Sequence, residues 1–184
     1  QGLAAVGMKP VAAGGALSAA GLINDDVRLL RAAGNVNADL MLVNPYCFEP
    51  GIAPHIAAAQ AGVTIEFAPI AHAFAQLAAA ADVVIVEGVG GFCVPLNRHE
   101  DAADLARYLG LPVILVVGLR LGCLNQALLT AQAIRARGLK LAGWVANRID
   151  PAMAVVEENT RALTERLAAP LVGEIEFMTE PDPA

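Results

Sequence analysis

Basic residues are scarce in this chain of 184 residues, with Lys+Arg 12 against Asp+Glu 18 and a formal charge of -6. Affinity for a nucleic-acid backbone comes from clustered Lys and Arg that release counterions, so no nucleic-acid partner is expected. Long uncharged apolar runs are missing too, although hydrophobic residues make up 57% of the chain and mean hydropathy is +0.56. The best stretches, 67–81 and 121–134, fall short of the roughly 18 to 20 residues a membrane span needs. They also carry Pro69, His72, Gln76, Asn125, Gln126 and Gln132, which would stand unpaired in lipid. The opening QGLAAVGMKP has no basic stretch followed by a long apolar one, so no secretory signal is read there. No membrane and a cytoplasmic location are the expectations. Cysteine is sparse as well. Cys47, Cys93 and Cys123 are odd in number, far apart and outside any zinc spacing, and read as small buried thiols. His55, His72 and His99 lack the i, i+4 spacing of a helical metal pair.

What remains is enough apolar residue to close one core without staples, so a single α/β domain over 1–184 is expected. The strongest apolar runs, 83–86 (VVIV) and 113–117 (VILVV), do not alternate and are rich in β-branched residues. That is the pattern of strands buried on both faces of a parallel sheet. Weaker runs of the same kind occupy 3–8, 141–146 and 171–175. Helical patterns fill 25–33, 54–61, 66–81, 101–109, 121–137 and 151–168. Asp101 and Asp104 suit a first turn, Gly110 and Gly138 follow last turns, and Asp150-Pro151 reads as an N-cap with a first-position proline. Alternating strands and helices predict a doubly wound, mostly parallel sheet with helices on both faces.

Ligands of such sheets bind beyond the carboxyl ends of the strands. There the apolar runs end in Lys9, Glu87, Gly118 and Asn147: a cation, a carboxylate, a glycine turn and an amide. Lys9 opens KPVAAGG, where a lysine either neutralises phosphate oxygens or is a solvated strand end. Glu87 opens EGVGG; a carboxylate at the end of a buried strand is costly unless it is used, and it suits a magnesium ligand. Asp25 and Asp26 beside Asn24 read on their own as a helix cap. Residues 44–55, NPYCFEPGIAPH, hold three prolines and no strand or helix period, which makes a stiff, shaped loop. Residues 118–125, GLRLGCLN, lead into a helix whose first N–H groups suit a carboxylate, or simply form a tight turn.

In order along the chain, MKPVAAG, VNPYCFEPGIAPHIAAAQAG, VVIVEGVGG, LPVILVVGLRLGCLNQALLTAQAI, LAGWVAN and PLVGEI resemble the dethiobiotin synthetase family. The resemblance implies a P-loop NTPase-like fold and a homodimeric ligase dependent on ATP and Mg2+. Such an enzyme closes the ureido ring of 7,8-diaminononanoate with carbon dioxide or bicarbonate. A substrate amine forms a carbamate, ATP phosphorylates it, and the second amine attacks the mixed anhydride.

Carried over position by position, the resemblance makes Lys9 the catalytic lysine, which also touches substrate. Asp26 and Glu87 become the magnesium ligands, so Asp26 is more than a cap residue. The nucleotide would meet Asp26, Glu87, Gly88, Val89 and Gly90. Asn147 would read the adenine edge, with Glu176, Phe177 and Met178 lining the base pocket. Ala13, Pro45, Tyr46, Gly122, Cys123 and Asn125 would contact diaminononanoate, the last three across a subunit interface. Three positions depart from the family pattern: Ala13 where a hydroxyl residue is frequent, Glu176 where proline is common, and Arg120 for lysine. The family's G-x-x-x-x-G-K-[ST] loop is also missing from the chain. The expectation is therefore that roughly 30 residues of strand, loop and helix precede Gln1, and that the tail is shortened. Two rivals stand beside the main reading. One is a non-catalytic remnant that dimerises or binds; the other is a related P-loop amidase or partition ATPase.

Overall fold

The computed structural model describes residues 2–19 and 21–179. They form two compact units, one running to Leu105 and one from Ala106. In chain order the first holds β1 (Ala5–Met8), β2 (Val11–Ala13), β3 (Ala16–Ser18), β4 (Gly21–Ile23), α1 (Asp25–Ala33), α2 (Leu40–Val43), β5 (Tyr46–Phe48), α3 (Pro54–Gln60), α4 (Phe67–Ala80) and β6 (Val83–Val86). Helix α5 (Ala102–Leu109) carries the boundary; the second unit holds β7 (Val113–Leu119), α6 (Cys123–Ala136), β8 (Leu141–Arg148), α7 (Val156–Leu167) and β9 (Leu171–Ile175).

In the first unit β1 pairs parallel with β6, from Ala5 opposite Val83 to Met8 opposite Val86, and β2 pairs parallel with β5. The β3–β4 hairpin is antiparallel, as is the isolated bridge between Pro95 and Asp101. In the second unit β7, β8 and β9 form one parallel sheet. The α/β class with mostly parallel pairing is thus the observed one. All five apolar runs are strands (β1, β6, β7, β8 and β9), with ends within two residues of those expected.

Helix α1 crosses β1 at Gly7, where an added Cβ would stand 2.8 Å from Leu30 Cδ2. Only glycine admits so close an approach. Met8, Val27, Ile65, Ile70 and Leu77 are buried in this unit; Trp144, Leu119, Ile134, Leu163 and Leu167 are buried in the other. Leu163 and Leu167, one turn apart, form the stripe that α7 buries, and α7 packs on α6. Asp101 and Asp104 exchange bonds, each carboxylate accepting from the other's main-chain N–H at 2.9 and 3.1 Å, which starts α5 by a reciprocal cap.

Four expectations are corrected. The segment 44–55 is not irregular throughout: Tyr46–Phe48 pairs with Val11–Ala13 as β5, a ladder too short to leave a hydrophobic period. Helix α7 starts at Val156, not after Asp150. Asp150 spends its cap bonds on a turn instead, its carboxylate accepting from Ala152 N at 2.9 Å and its carbonyl from Met153 N at 3.2 Å. Strands β6 and β7 are not covered on both faces. In the first unit Ile85 of β6 is 53% exposed, and in the second Ile114 and Val116 of β7 are 50% and 57% exposed, since alternate side chains of a strand point to opposite faces.

Of the cysteines, Cys123 is buried as expected, whereas Cys47 is part-buried and Cys93 exposed. Burial pushes the Cys47 thiol up, which leaves less thiolate at neutral pH. A thiol reagent followed by mass spectrometry should therefore modify Cys93 first. Cys47 should follow only as pH rises beyond the range of a free thiol, and Cys123 only on unfolding. Labelling of Cys123 as fast as Cys93 would contradict this packing.

Candidate active site

Strand β1 ends at Met8, and the register Met8 opposite Val86 puts Lys9 and Glu87 side by side one residue beyond the ladder. The ladder runs one bond further, since Glu87 N donates to Met8 O at 2.8 Å. Lys9 is 4% exposed. A buried ammonium is tolerable only when its three donors are met. They are: Lys9 Nζ lies 2.7 Å from Glu87 Oε1, 2.8 Å from Asp26 Oδ2 and 2.9 Å from Gly88 O. The two carboxylates are about half exposed, at 44% and 49%, so the cluster has a dry floor and a wet mouth.

Asp26 arrives from α1. The cap itself is Asn24, whose Oδ1 accepts from Asp26 N at 2.8 Å and whose Nδ2 donates to Ala13 O at 2.9 Å. The helix start is thereby tied to the end of β2, and the Asp26 carboxylate is left for Lys9. Gly88 and Gly90 are exposed, Val89 is half-buried, and Gly90 turns the chain at φ 62, where a Cβ is disfavoured. Ala13, Pro45 and Tyr46 are all half-buried. Ala13 pairs with Phe48, and the Tyr46 hydroxyl accepts from Glu66 N at 3.2 Å.

In the second unit Asn147 lies near the end of β8, opposite Gly118 on β7 and Ile175 on β9. Glu176, Phe177 and Met178 follow β9 and are exposed. The charge at Glu176 is met by Arg148, whose Nε lies 3.5 Å from Glu176 Oε2; the same guanidinium has Glu157 at 3.4 Å and Glu174 at 3.9 Å. Gly122 caps α6 at φ 96, followed by buried Cys123 and exposed Asn125. Two residues beside the expected ones carry no signal of their own in the sequence. Arg148 directly follows Asn147, and Asn44 is the first residue of the NPY segment.

Among the described residues no three His, Cys, Asp or Glu side chains gather as a metal cage. The pair Asp26 and Glu87 nevertheless fits Mg2+, a hard cation usually held by one or two carboxylates with phosphate oxygens and water. A positive charge already sits between them, on Lys9. Chemically the cluster offers a cation and two anions at the edge of a sheet, suited to gathering and neutralising phosphoryl charge.

The AAA domain family profile matches residues 2–184. ATP-dependent dethiobiotin synthetase BioD of Aromatoleum aromaticum is 58% identical over the whole chain and 82% of its own length. The protein of that name from Nitrosospira multiformis is 56% identical over 94% of this chain and 74% of its own length. That from Xanthomonas euvesicatoria is 52% identical over the whole chain and 82% of its own length. Among solved structures, a ParA family ATPase from Chlorobium tepidum covers 97% of this chain and 72% of its own, with TM-score 0.51 and 12% identity, a likeness of fold alone. The NPY, VEGVGG and LGCLN segments thus sit in a sequence of which 94–100% aligns with these synthetases, and the chain belongs to the dethiobiotin synthetase family.

Proposed function

We propose that the protein catalyses the ATP-dependent closure of the ureido ring of 7,8-diaminononanoate with carbon dioxide, yielding dethiobiotin, ADP and phosphate. The observation that carries it is the convergence of Asp26 and Glu87, from two separate stretches of chain, on the buried ammonium of Lys9 at 2.8 and 2.7 Å. One substrate amine adds to carbon dioxide and loses a proton, giving a carbamate. The carbamate oxygen takes the γ-phosphoryl group and ADP leaves. The second amine then attacks the carbonyl carbon and expels phosphate.

The work of the protein is placement and charge balance. Lys9 Nζ faces the carbamate and the transferring phosphoryl oxygens. Asp26 and Glu87 are the residues that would hold Mg2+, which when bound neutralises the nucleotide's phosphates. The turn Gly88, Val89 and Gly90 approaches the nucleotide with its backbone. Asn147 reads the adenine edge, and Glu176, Phe177 and Met178 line the base pocket. Ala13, Pro45 and Tyr46 face diaminononanoate. The protein acts as a cytoplasmic homodimer, in which Gly122, Cys123 and Asn125 grip the distant carboxylate of the substrate held by the neighbouring subunit.

The test is direct. The protein expressed from its complete reading frame is given diaminononanoate, bicarbonate and Mg·ATP, and dethiobiotin and ADP are measured together. Equal amounts of both are expected. ADP release without dethiobiotin, or neither product, would refute the assignment.

A further inference from the structure

We infer that Asn44 is a positioning residue for this reaction, holding the main chain of Lys9 so that its ammonium stays between Asp26 and Glu87. The inference rests on the role proposed for Lys9. Both polar main-chain groups of Lys9 are bound by the α2 end: Lys9 N donates to Val43 O at 2.8 Å, and Lys9 O accepts from Asn44 Nδ2 at 2.6 Å. The same Nδ2 donates to Tyr46 O at 3.0 Å, and Asn44 is itself anchored as the C-cap of α2 through its N–H to Leu40 O at 2.8 Å.

The site asks for an asparagine. Two carbonyls must each receive a hydrogen from one short side chain, and of the small side chains only a primary amide has two to give; Asp has none and Ser one. Water cannot substitute, because Asn44 is 3% exposed. The cost is visible, since Asn44 Oδ1 is buried without a partner. The amide therefore leaves one acceptor of its own unmet while tying together the catalytic strand end and the NPY segment. Pro10 adds to the constraint, biasing Lys9 toward extended backbone. With its main chain fixed at both ends, Lys9 keeps only its side-chain torsions, and its three donors are already committed.

The chain has two lysines, buried Lys9 and exposed Lys140, so reductive methylation read by mass spectrometry can compare Lys9 with an internal standard. In Asn44→Asp, close in shape but without the donors, Lys9 should be methylated on the order of tenfold faster relative to Lys140, because protection follows the free energy of local opening. Turnover should fall by on the order of a hundredfold, the scale on which small misplacements act, with KM for Mg·ATP within about twofold. Asn44→Ser, which restores one donor, should recover part of both effects and serves if Asn44→Asp does not fold. Lost stability with Lys9 methylation unchanged, or kcat and KM moving together, overturns the inference and makes Asn44 structural only. Full turnover in Lys9→Gln, by contrast, defeats the role given to Lys9, whatever Asn44 does to methylation.

Discussion

Lys9→Gln should lower dethiobiotin turnover by on the order of a thousandfold, the upper range for deleting one preorganised charge-stabilising donor, while thermal unfolding stays close to that of the parent. The two halves of this expectation come from different observations. Turnover falls because Lys9 is the cation held within reach of both acidic side chains, and glutamine replaces its full charge with a dipole. The fold survives because Asp26 and Glu87 are about half exposed and turn to water when the ammonium goes. Removing a buried charge whose partners can be rehydrated is unlike stranding one in the core. Product formation under saturating Mg·ATP, with circular dichroism melts of both proteins, checks both halves. Turnover within tenfold of the parent removes Lys9 from the mechanism.

The largest stability effect is expected in the second unit. Trp144, the single tryptophan, is fully buried on β8. Trp144→Ala should cost about 3–5 kcal/mol, the usual range for emptying a site of that volume, read by urea unfolding in the far ultraviolet since the fluorophore is lost. The companion variant is more informative. Trp144 Nε1 is buried without an acceptor, and such an orphan donor costs about 1–3 kcal/mol. Trp144→Phe removes the orphan while keeping an aromatic ring, so it should cost far less than its lost volume implies. Equal costs for Phe and Ala would mean that the indole N–H is satisfied after all.

The fold was legible where one local signal sufficed. VVIV and VILVV needed only their β-branched composition to read as strands, and the DDVRLLRAA pattern is α1 residue for residue. The strand-end rule singled out Glu87 for the same reason, because a carboxylate after a buried run stands out. Signals failed where two distant segments decide the outcome. Tyr46–Phe48 becomes a strand only because Val11–Ala13 lies beside it, and nothing in NPYCF announces that partner. Asp26 looks like a cap residue because Asn24, the real cap, stands two places earlier. Asn44 reaches its carbonyl across 35 residues of sequence, so its role could not be read from neighbours. Val155, at φ 52, takes a backbone shape that its β-branched side chain argues against, so the sequence holds no local sign that α7 starts at Val156.

The glycine under α1 has a reach beyond packing. Leu30 lies one turn along the helix from Asp26, and Gly7 lies two residues before Lys9. The gap between helix and strand at that crossing therefore gauges how far the carboxylate stands from the ammonium. A methyl group there would act as a wedge, prising apart two partners that it never touches.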